Sequence, residues 1–302
     1  MRLDEVVIIG AGPAGLTAAI QLRRYGIPFT LLEKERVGGL LWNANLVENY
    51  PGFPAGVSGP KLIGLIEKQM ERIGVKATFD SVLKLEYTEN RFRIKTLHAE
   101  YNPHYVIVAS GTRPNPFPLS VPDAAQKRVF SDVYHLLDQS QKRIIIIGAG
   151  DAAFDYALNL TKNRNSVTIL NRGGEVQCLR LLWERAMAEP AIEYRAETPV
   201  RAVDVDETPP EKSGETGSTL SGTGRLRVQT DAGESLEADY LLFAIGRVPQ
   251  MDFLSGELVT RNIKGLYFVG DVKNGLYRQA TIAAGDGLRA AMEIYFKINS
   301  EM

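Results

Sequence analysis

Twice along this chain a run of four aliphatic residues stops at a glycine loop and gives way to a helical stretch. That repeat limits the fold more than any other feature. The first copy is Val6-Val7-Ile8-Ile9, then Gly10-Ala11-Gly12-Pro13-Ala14-Gly15. A helix is expected from Pro13 to about Tyr25 with Gly26 as its C′ residue, followed by a strand from Phe29 to Leu32 that ends at Glu33. The second copy is Ile144-Ile145-Ile146-Ile147, then Gly148-Ala149-Gly150-Asp151-Ala152-Ala153, a helix to about Lys162 and a strand from Ser166 to Leu170. Each reads as a β-α-β unit whose first strand is apolar on both faces, as a buried parallel sheet requires. The small residues have separate tasks. Gly10 permits the tight turn, Gly12 lets the main chain approach a pyrophosphate, and Gly15 lets the helix pack close to the strand. The helix start adds N–H donors and a partial positive charge. Glu33 stands where a carboxylate can take ribose hydroxyls. These features predict an α/β protein of two Rossmann-like, three-layer dinucleotide-binding domains.

The order of the two domains follows from two similar exits. The strand Val106–Ala109 runs into Ser110-Gly111-Thr112-Arg113-Pro114-Asn115-Pro116, and the strand Tyr240–Ala244 runs into Ile245-Gly246-Arg247-Val248-Pro249. Gly/Pro-rich stretches of this kind read as linkers. The second domain is therefore expected to be inserted in the first, with residues 1–113 and 248–302 forming one domain and residues 117–244 the other. Pro209 to Gly224, rich in Ser, Gly, Thr and Glu, reads as a long hairpin loop.

Other classes of function are excluded by what the chain lacks. Its formal net charge is −1 and its basic residues are scattered, so nothing favours nucleic acid. No stretch approaches the ~18 apolar residues that a spanning helix needs. With no targeting segment, a cytoplasmic location is expected. Cys178 is the sole cysteine and reads as a structural, buried or half-buried thiol. Neither it nor His98, His104 and His135 show metal-ligand spacing, so no metal site is expected.

Near the C-terminus, Gly265-Leu266-Tyr267-Phe268-Val269-Gly270-Asp271 ends a strand in a carboxylate. Tyr277-Arg278-Gln279-Ala280 and the small residues Ala283-Ala284-Gly285-Asp286-Gly287 follow, a helix start able to press N–H groups against a planar ring. Together with Gly38-Gly39-Leu40, Val47-Glu48-Asn49-Tyr50-Pro51-Gly52 and Ala109-Ser110-Gly111, these segments resemble the low-molecular-weight thioredoxin reductase family of FAD- and NAD(P)H-dependent enzymes. The resemblance spans almost the whole chain in order, and the VENYPG and GD…YRQA segments are its most specific parts. It implies an FAD site of Gly10, Gly12, Pro13, Ala14, Gly15, Glu33, Lys34, Gly39, Leu40, Asn49, Val82, Ala109, Gly111, Gly270, Asp271, Arg278, Gln279 and Ala280. It also implies a homodimer built through the FAD domain, and rotation of one domain against the other at the two linkers.

The departure from the family is chemical. Its Cys-x-x-Cys-Asp centre falls, counted back without gaps from Gly148, on Ser131-Asp132-Val133-Tyr134-His135. Serine and tyrosine form no disulfide, so relay to thioredoxin by the usual route is excluded. Two readings of Tyr134 and His135 stand open. In one, Tyr134 covers the flavin face and His135 donates a proton. In the other, Val133–Leu137 is a helix packed into a domain interface.

The second loop resembles an NAD(P)H site formed by Gly148, Gly150, Asp151, Ala152, Ala153, Asn171, Arg172 and Gly246. Its strand ends at Asn171-Arg172, with no acid at the tip to repel a 2′-phosphate. Arg172 can pair with that phosphate or can simply be solvated. Gln177 replaces a family arginine, and Arg180 compensates if its helix turns inward. The balance favours NADPH, with NADH and no nucleotide as alternatives. The expected reaction is hydride transfer from NAD(P)H to FAD, followed by electron delivery to an external acceptor without an internal disulfide relay: a small redox protein such as an iron–sulfur protein, a quinone, free flavin or a disulfide. Ferredoxin–NADP reductases of this fold also lack the cysteines but carry a C-terminal extension, whereas this sequence stops at Met302. An FAD protein reduced by another donor, or a non-catalytic flavin sensor, is the alternative.

Overall fold

The computed structural model describes residues 5–206 and 225–300. The hairpin loop expected over Pro209–Gly224 lies outside the described residues. The chain divides into two compact units, residues 1–113 with 247–302 and residues 114–246.

In the first unit five parallel strands lie in the order Leu266–Phe268, Tyr105–Val108, Val6–Ile9, Phe29–Glu33, Ala77–Phe79. Val6–Ile9 is central, and alternate residues serve opposite faces. Val6 and Ile8, with Leu31 and Ile107, face the helices Pro13–Arg24, Gly59–Ile73 and Ala280–Ser300. Val7 and Ile9, with Leu32, Val106 and Val108, pack against Leu85, Phe92 and Ile94 of a small antiparallel sheet, Val82–Thr88, Arg91–Thr96 and Glu100–Tyr101. Burying each aliphatic side chain contributes about 1.5–3 kcal/mol. A polar residue anywhere in the central strand would forfeit that on one face or the other, which is why the run is unbroken.

The second unit repeats the plan. Its parallel order is Ile192–Arg195, Ser166–Leu170, Arg143–Ile147, Tyr240–Phe243, Val129–Phe130. Ile144 and Ile146 face the helix Asp151–Thr161 through Phe154, Ala157 and Leu160. Ile145 faces Val203, Leu226 and Val228 of the antiparallel sheet Val200–Asp206, Arg225–Thr230 and Ser235–Ala238.

The Gly/Pro composition of the two crossings predicts linkers, without saying what form they take. They are short extended segments, Thr112–Pro114 and Arg247–Pro249, paired in a two-stranded ribbon. Side by side they satisfy each other's backbone groups, and flanking bonds run from Gln250 N–H to Gly111 O (3.0 Å) and from Asn115 N–H to Gly246 O (3.1 Å). The crossings fall at 113/114 and 246/247. No helix among the described residues is long and apolar enough to cross a membrane.

Candidate functional site

The three glycines of the first loop stand in different surroundings. Gly10 has φ +104°, and a Cβ there would lie 2.4 Å from Ala109 O. A Cβ on Gly15 would lie 1.9 Å from Gly10 O. Both positions are closed to any side chain by backbone. Gly12 is different: its φ is −77° with ψ −177°, it caps the helix Pro13–Arg24 without any side-chain bond, and nothing lies within 4 Å of where its Cβ would be. The result is an open, uncapped helix start with Pro13 in its first position, a cradle that fits a pyrophosphate. Gly39 borders it, since a Cβ on Gly39 would meet Gly12 Cα at 3.3 Å, and Gly38 N–H donates to Ala11 O at 2.8 Å. Leu40 is half-buried and Lys34 exposed.

Glu33 is buried, and both its oxygens serve the main chain. Oε2 accepts from Ala11 N–H at 2.8 Å and Oε1 from Glu35 N–H at 2.9 Å. The carboxylate expected to meet ribose thus also fixes the loop. Val82 opens its strand half-buried, against the apolar layer of the small sheet.

The C-terminal segments close on the same loop. Gly270 has φ +72°, and a Cβ there would lie 2.9 Å from the Ala14 Cβ. Asp271 follows in a 3-10 turn, Gly270–Val272. Asn49 Nδ2 donates to Gln279 Oε1 at 2.8 Å, joining the VENYPG and YRQA segments. Arg278 Nη1 donates to Arg247 O at 2.9 Å, while its buried Nε has no partner among the described residues. Ala280 begins the last helix. Ala109 is buried beside Gly10, and Gly111 has φ +65° with open space around it.

Two residues of this region carry tasks that the sequence did not reveal. Asp286 accepts from Gly270 N–H (3.1 Å) and Asn274 Nδ2 (2.8 Å) and pairs with Lys273 (3.3 Å). Burial alone would raise its pKa, but these donors outweigh it and hold the carboxyl below its ordinary value. Gly287 lies against the first helix, where a Cβ would stand 1.9 Å from Ala14 O. The small residues read as a surface for a planar ring therefore serve, in part, a close helix–helix contact.

Asp271 shifts the other way. Burial pushes its carboxyl above the ordinary value, and the charges of Arg278 and Arg247 only partly offset this. A raised folded-state pKa gives stability that is complete below the unfolded value, near 3.8, and lost as pH rises through the folded one. Asp271→Asn removes that loss. Flavin-free Asp271→Asn is expected to melt higher than the parent at pH 7, with the difference vanishing toward pH 4. A thermal-melt series over that range checks it, and equal melting at pH 7 would count against a buried carboxylate.

In the second unit Gly148 repeats Gly10, with φ +126° and a Cβ position 2.3 Å from Ala244 O. Gly150 caps the helix Asp151–Thr161, again without a side-chain bond. The matching place to Gly15 holds Ala153, fully buried. Asp151 and Ala152 are exposed at the helix start, and Asp151 Oδ1 accepts from Leu179 N–H at 2.7 Å. Gly246 is exposed with φ +92°.

Asn171 differs from its expected place at the nucleotide. It is buried, and its side chain is committed inward: Nδ2 donates to Glu175 O (2.8 Å) and Tyr194 Oη (2.9 Å), and Oδ1 accepts from Gly173 N–H (3.2 Å). Arg172 is exposed, with no bond or ion pair among the described residues. Arg180 does not turn inward; it is 91% exposed and paired with Glu184 at 2.6 Å. Cys178 is half-buried, its thiol pushed up by burial and then by the charge of Asp151.

The segment after Ser131 is a 3-10 helix, Val133–Leu136, one residue shorter than expected and tighter than an α-helix. Val133 and Leu136 anchor it in the apolar layer of its own unit. Tyr134 is half-buried and His135 exposed, their ring centroids 3.9 Å apart, with Phe130 at 5.4 Å from His135. Among the described residues no group of three His, Cys, Asp or Glu is placed to hold a metal ion.

Comparison with known proteins agrees with this plan. The family model described as pyridine nucleotide-disulphide oxidoreductase matches residues 4–287. The thioredoxin reductase of Streptomyces coelicolor is 31% identical over 310 residues, covering 96% of this chain and 92% of that protein. The NADPH-dependent thioredoxin reductase 3 of Arabidopsis thaliana is 30% identical, covering 96% of this chain and 57% of that protein. Among solved structures, Lactococcus lactis thioredoxin reductase in its FR conformation superposes with a TM-score of 0.80 at 26% identity, over 99% of both chains.

Proposed function

Because the chain belongs to the pyridine nucleotide-disulphide oxidoreductase family, we propose that this FAD- and NAD(P)H-dependent oxidoreductase delivers its electrons to an acceptor outside the chain, without an internal disulfide relay. The observation that carries this reading is the cysteine count. Cys178 is the sole cysteine, and Ser131 and Tyr134 occupy the places of the family's redox pair. A disulfide needs two sulfurs, and a thiol held protonated by burial and by Asp151 is a poor nucleophile. FAD, when bound, supplies the exchange of electrons between a hydride donor and the acceptor.

The chain's own part is to bind and orient. Gly12, Pro13, Ala14 and the open helix start receive the FAD pyrophosphate, with Gly39 and Leu40 beside it and Glu33 and Lys34 toward the ribose. Asn49, Gly270, Asp271, Gln279 and Ala280 hold the flavin half, and the unpaired Nε of Arg278 is a donor free to meet it. In the other unit Gly148, Gly150, Asp151, Ala152 and Ala153 receive the NAD(P)H pyrophosphate, Arg172 meets the 2′-phosphate, and Gly246 leaves room. His135, exposed on its 3-10 turn, exchanges a proton with the acceptor, and Tyr134 holds its ring in place. The acceptor is a small redox protein, a quinone, a flavin or an external disulfide. The exposed stripe Ile282, Leu288, Met292 and Phe296 along the last helix supports a homodimer built through the FAD unit.

Anaerobic titration of the yellow protein with NADPH, then NADH, tests the reading. The flavin band is expected to bleach, and iodoacetamide treatment of Cys178 is expected to leave the rate unchanged. No bleaching by either nucleotide overturns it and favours an FAD protein with another donor, the alternative that the single free Arg172 motivates.

A further inference from the structure

We infer that Glu197 sets the pyridine-nucleotide preference of this chain, by placing an unpaired carboxylate beside the turn that receives the adenosine ribose, where it opposes Arg172. The inference rests on the proposed NAD(P)H site of the second unit and concerns that unit alone.

In a parallel sheet of this order a dinucleotide lies across the carboxyl ends of the strands, with its adenosine ribose at the tip of the second strand. That tip is Leu170, and the turn beyond it is Asn171-Arg172-Gly173-Gly174. The neighbouring strand, Ile192–Arg195, runs parallel, with Arg195 opposite Leu170. The chain after it is bonded to the turn at three points. Asn171 N–H donates to Arg195 O (2.9 Å), Thr198 N–H to Asn171 O (2.8 Å) and Glu197 N–H to Gly173 O (3.0 Å). Glu197 cannot drift from the turn without breaking this ladder.

Its backbone is left-handed, φ +50°, a conformation that glutamate rarely adopts. The other described non-glycine residues with positive φ are Glu89, Asn90, Gln141 and Arg164. None of these stands at the carboxyl end of a parallel strand. The left-handed twist turns the Glu197 side chain toward Gly174, where a Cβ would lie 3.5 Å from its Oε1. Glu197 is exposed and makes no side-chain bond or ion pair among the described residues.

The charges around the turn then decide the preference. Arg180 is held by Glu184, and Arg195 is held by Glu193 (2.8 Å) and Glu234 (2.7 Å). Among the described residues Arg172 is left as the unpaired cation of this turn, and the same turn and the chain bonded to it carry the unpaired, exposed carboxylates of Glu175 and Glu197. A 2′-phosphate brings between one and two negative charges to this place and meets repulsion as well as attraction. A 2′-hydroxyl, in contrast, donates a hydrogen bond to a carboxylate. The expected result is comparable use of NADH and NADPH, with Glu197 as the residue that holds NADPH back.

The test uses the flavin-loaded protein with Glu197→Gln, Glu197→Asn and Glu197→Asp. Asparagine tolerates the left-handed backbone and removes the charge; aspartate keeps the charge. Calorimetric binding of 2′,5′-ADP and of 5′-AMP gives a readout independent of the flavin, and bleaching rates with NADPH and NADH give a second. Both neutral variants are expected to bind 2′,5′-ADP about fivefold more tightly, the scale of one partly screened charge. Their 5′-AMP affinity stays within about twofold and Glu197→Asp stays near the parent, as a charge effect confined to the 2′ position requires. Unchanged 2′,5′-ADP binding in both neutral variants overturns the inference while leaving the proposed function intact. So does an aspartate variant that behaves like the neutral ones, because the effect would then not follow the charge. A parent protein that binds neither nucleotide and does not bleach overturns the proposed site itself.

Discussion

Gly12→Val is expected to give a folded protein that has lost its flavin. The backbone at Gly12 is extended, with φ −77° and ψ −177°, a conformation in which a β-branched residue sits without strain. Nothing lies within 4 Å of the new Cβ, so the fold meets no clash. The open space is the cradle at the uncapped helix start, and the isopropyl group would fill it where a pyrophosphate must come within hydrogen-bond reach. Displacing even one of the charge-assisted bonds made there costs about 1.5–3 kcal/mol, so at least a tenfold loss of FAD affinity is expected. Two measurements on one sample decide the matter. The melting temperature of the flavin-free variant should match that of the flavin-free parent, and the ratio of flavin to protein after gel filtration should collapse. A variant that stays yellow would mean that the cradle does not hold the pyrophosphate.

How much of this could be read from the sequence depends on whether a residue's task is local. The central strands were legible because alternate positions of Val6–Ile9 and Ile144–Ile147 meet two apolar layers, which leaves no place for a polar residue. Gly10 and Gly148 were legible because a strand-to-helix turn imposes their positive φ within a few residues. Gly287 was not, because the atom that excludes its side chain, Ala14 O, is more than 270 residues away in the chain. The inward commitment of the Asn171 side chain was legible only in part. Two of its side-chain bonds are local, with Gly173 and Glu175, but the third reaches Tyr194 on the neighbouring strand, which nothing around position 171 announces. The ribbon Thr112–Pro114 with Arg247–Pro249 also escaped, since each half alone reads as a linker and only their pairing makes them extended structure. Glu197 belongs with these, its carboxylate made relevant by a loop from another strand.

Gly15→Ala, three residues from Gly12, is expected to do the opposite and damage the fold itself. Intrinsic helix propensity favours alanine over glycine by about 1 kcal/mol, and were Gly15 on an open helix face the change would stabilise. Here the new Cβ would stand 1.9 Å from Gly10 O and 3.3 Å from the Ala109 Cβ. The first of these is backbone, itself pinned by Gly10 N–H to Leu32 O at 2.8 Å, so no side chain can rotate away. Relief requires the helix Pro13–Arg24 to lift from the central strand. That also disturbs its contact with the last helix, where Gly287 leaves no slack against Ala14. Overpacking of this kind costs about 1–3 kcal/mol and more when backbone must move, enough to exceed the propensity gain. A net loss of about 2–3 kcal/mol lowers the melting temperature by about 5–10 °C for a unit of this size, with flavin lost as a consequence of the lifted helix. The second unit supplies the control. Ala153 occupies the matching place there, fully buried, so Ala153→Gly should lower stability by about 1 kcal/mol or slightly more through propensity and lost contact. A Gly15→Ala protein that melts with the parent would show that the first helix can shift by more than an ångström without cost, and would remove the steric reason for glycine at that position.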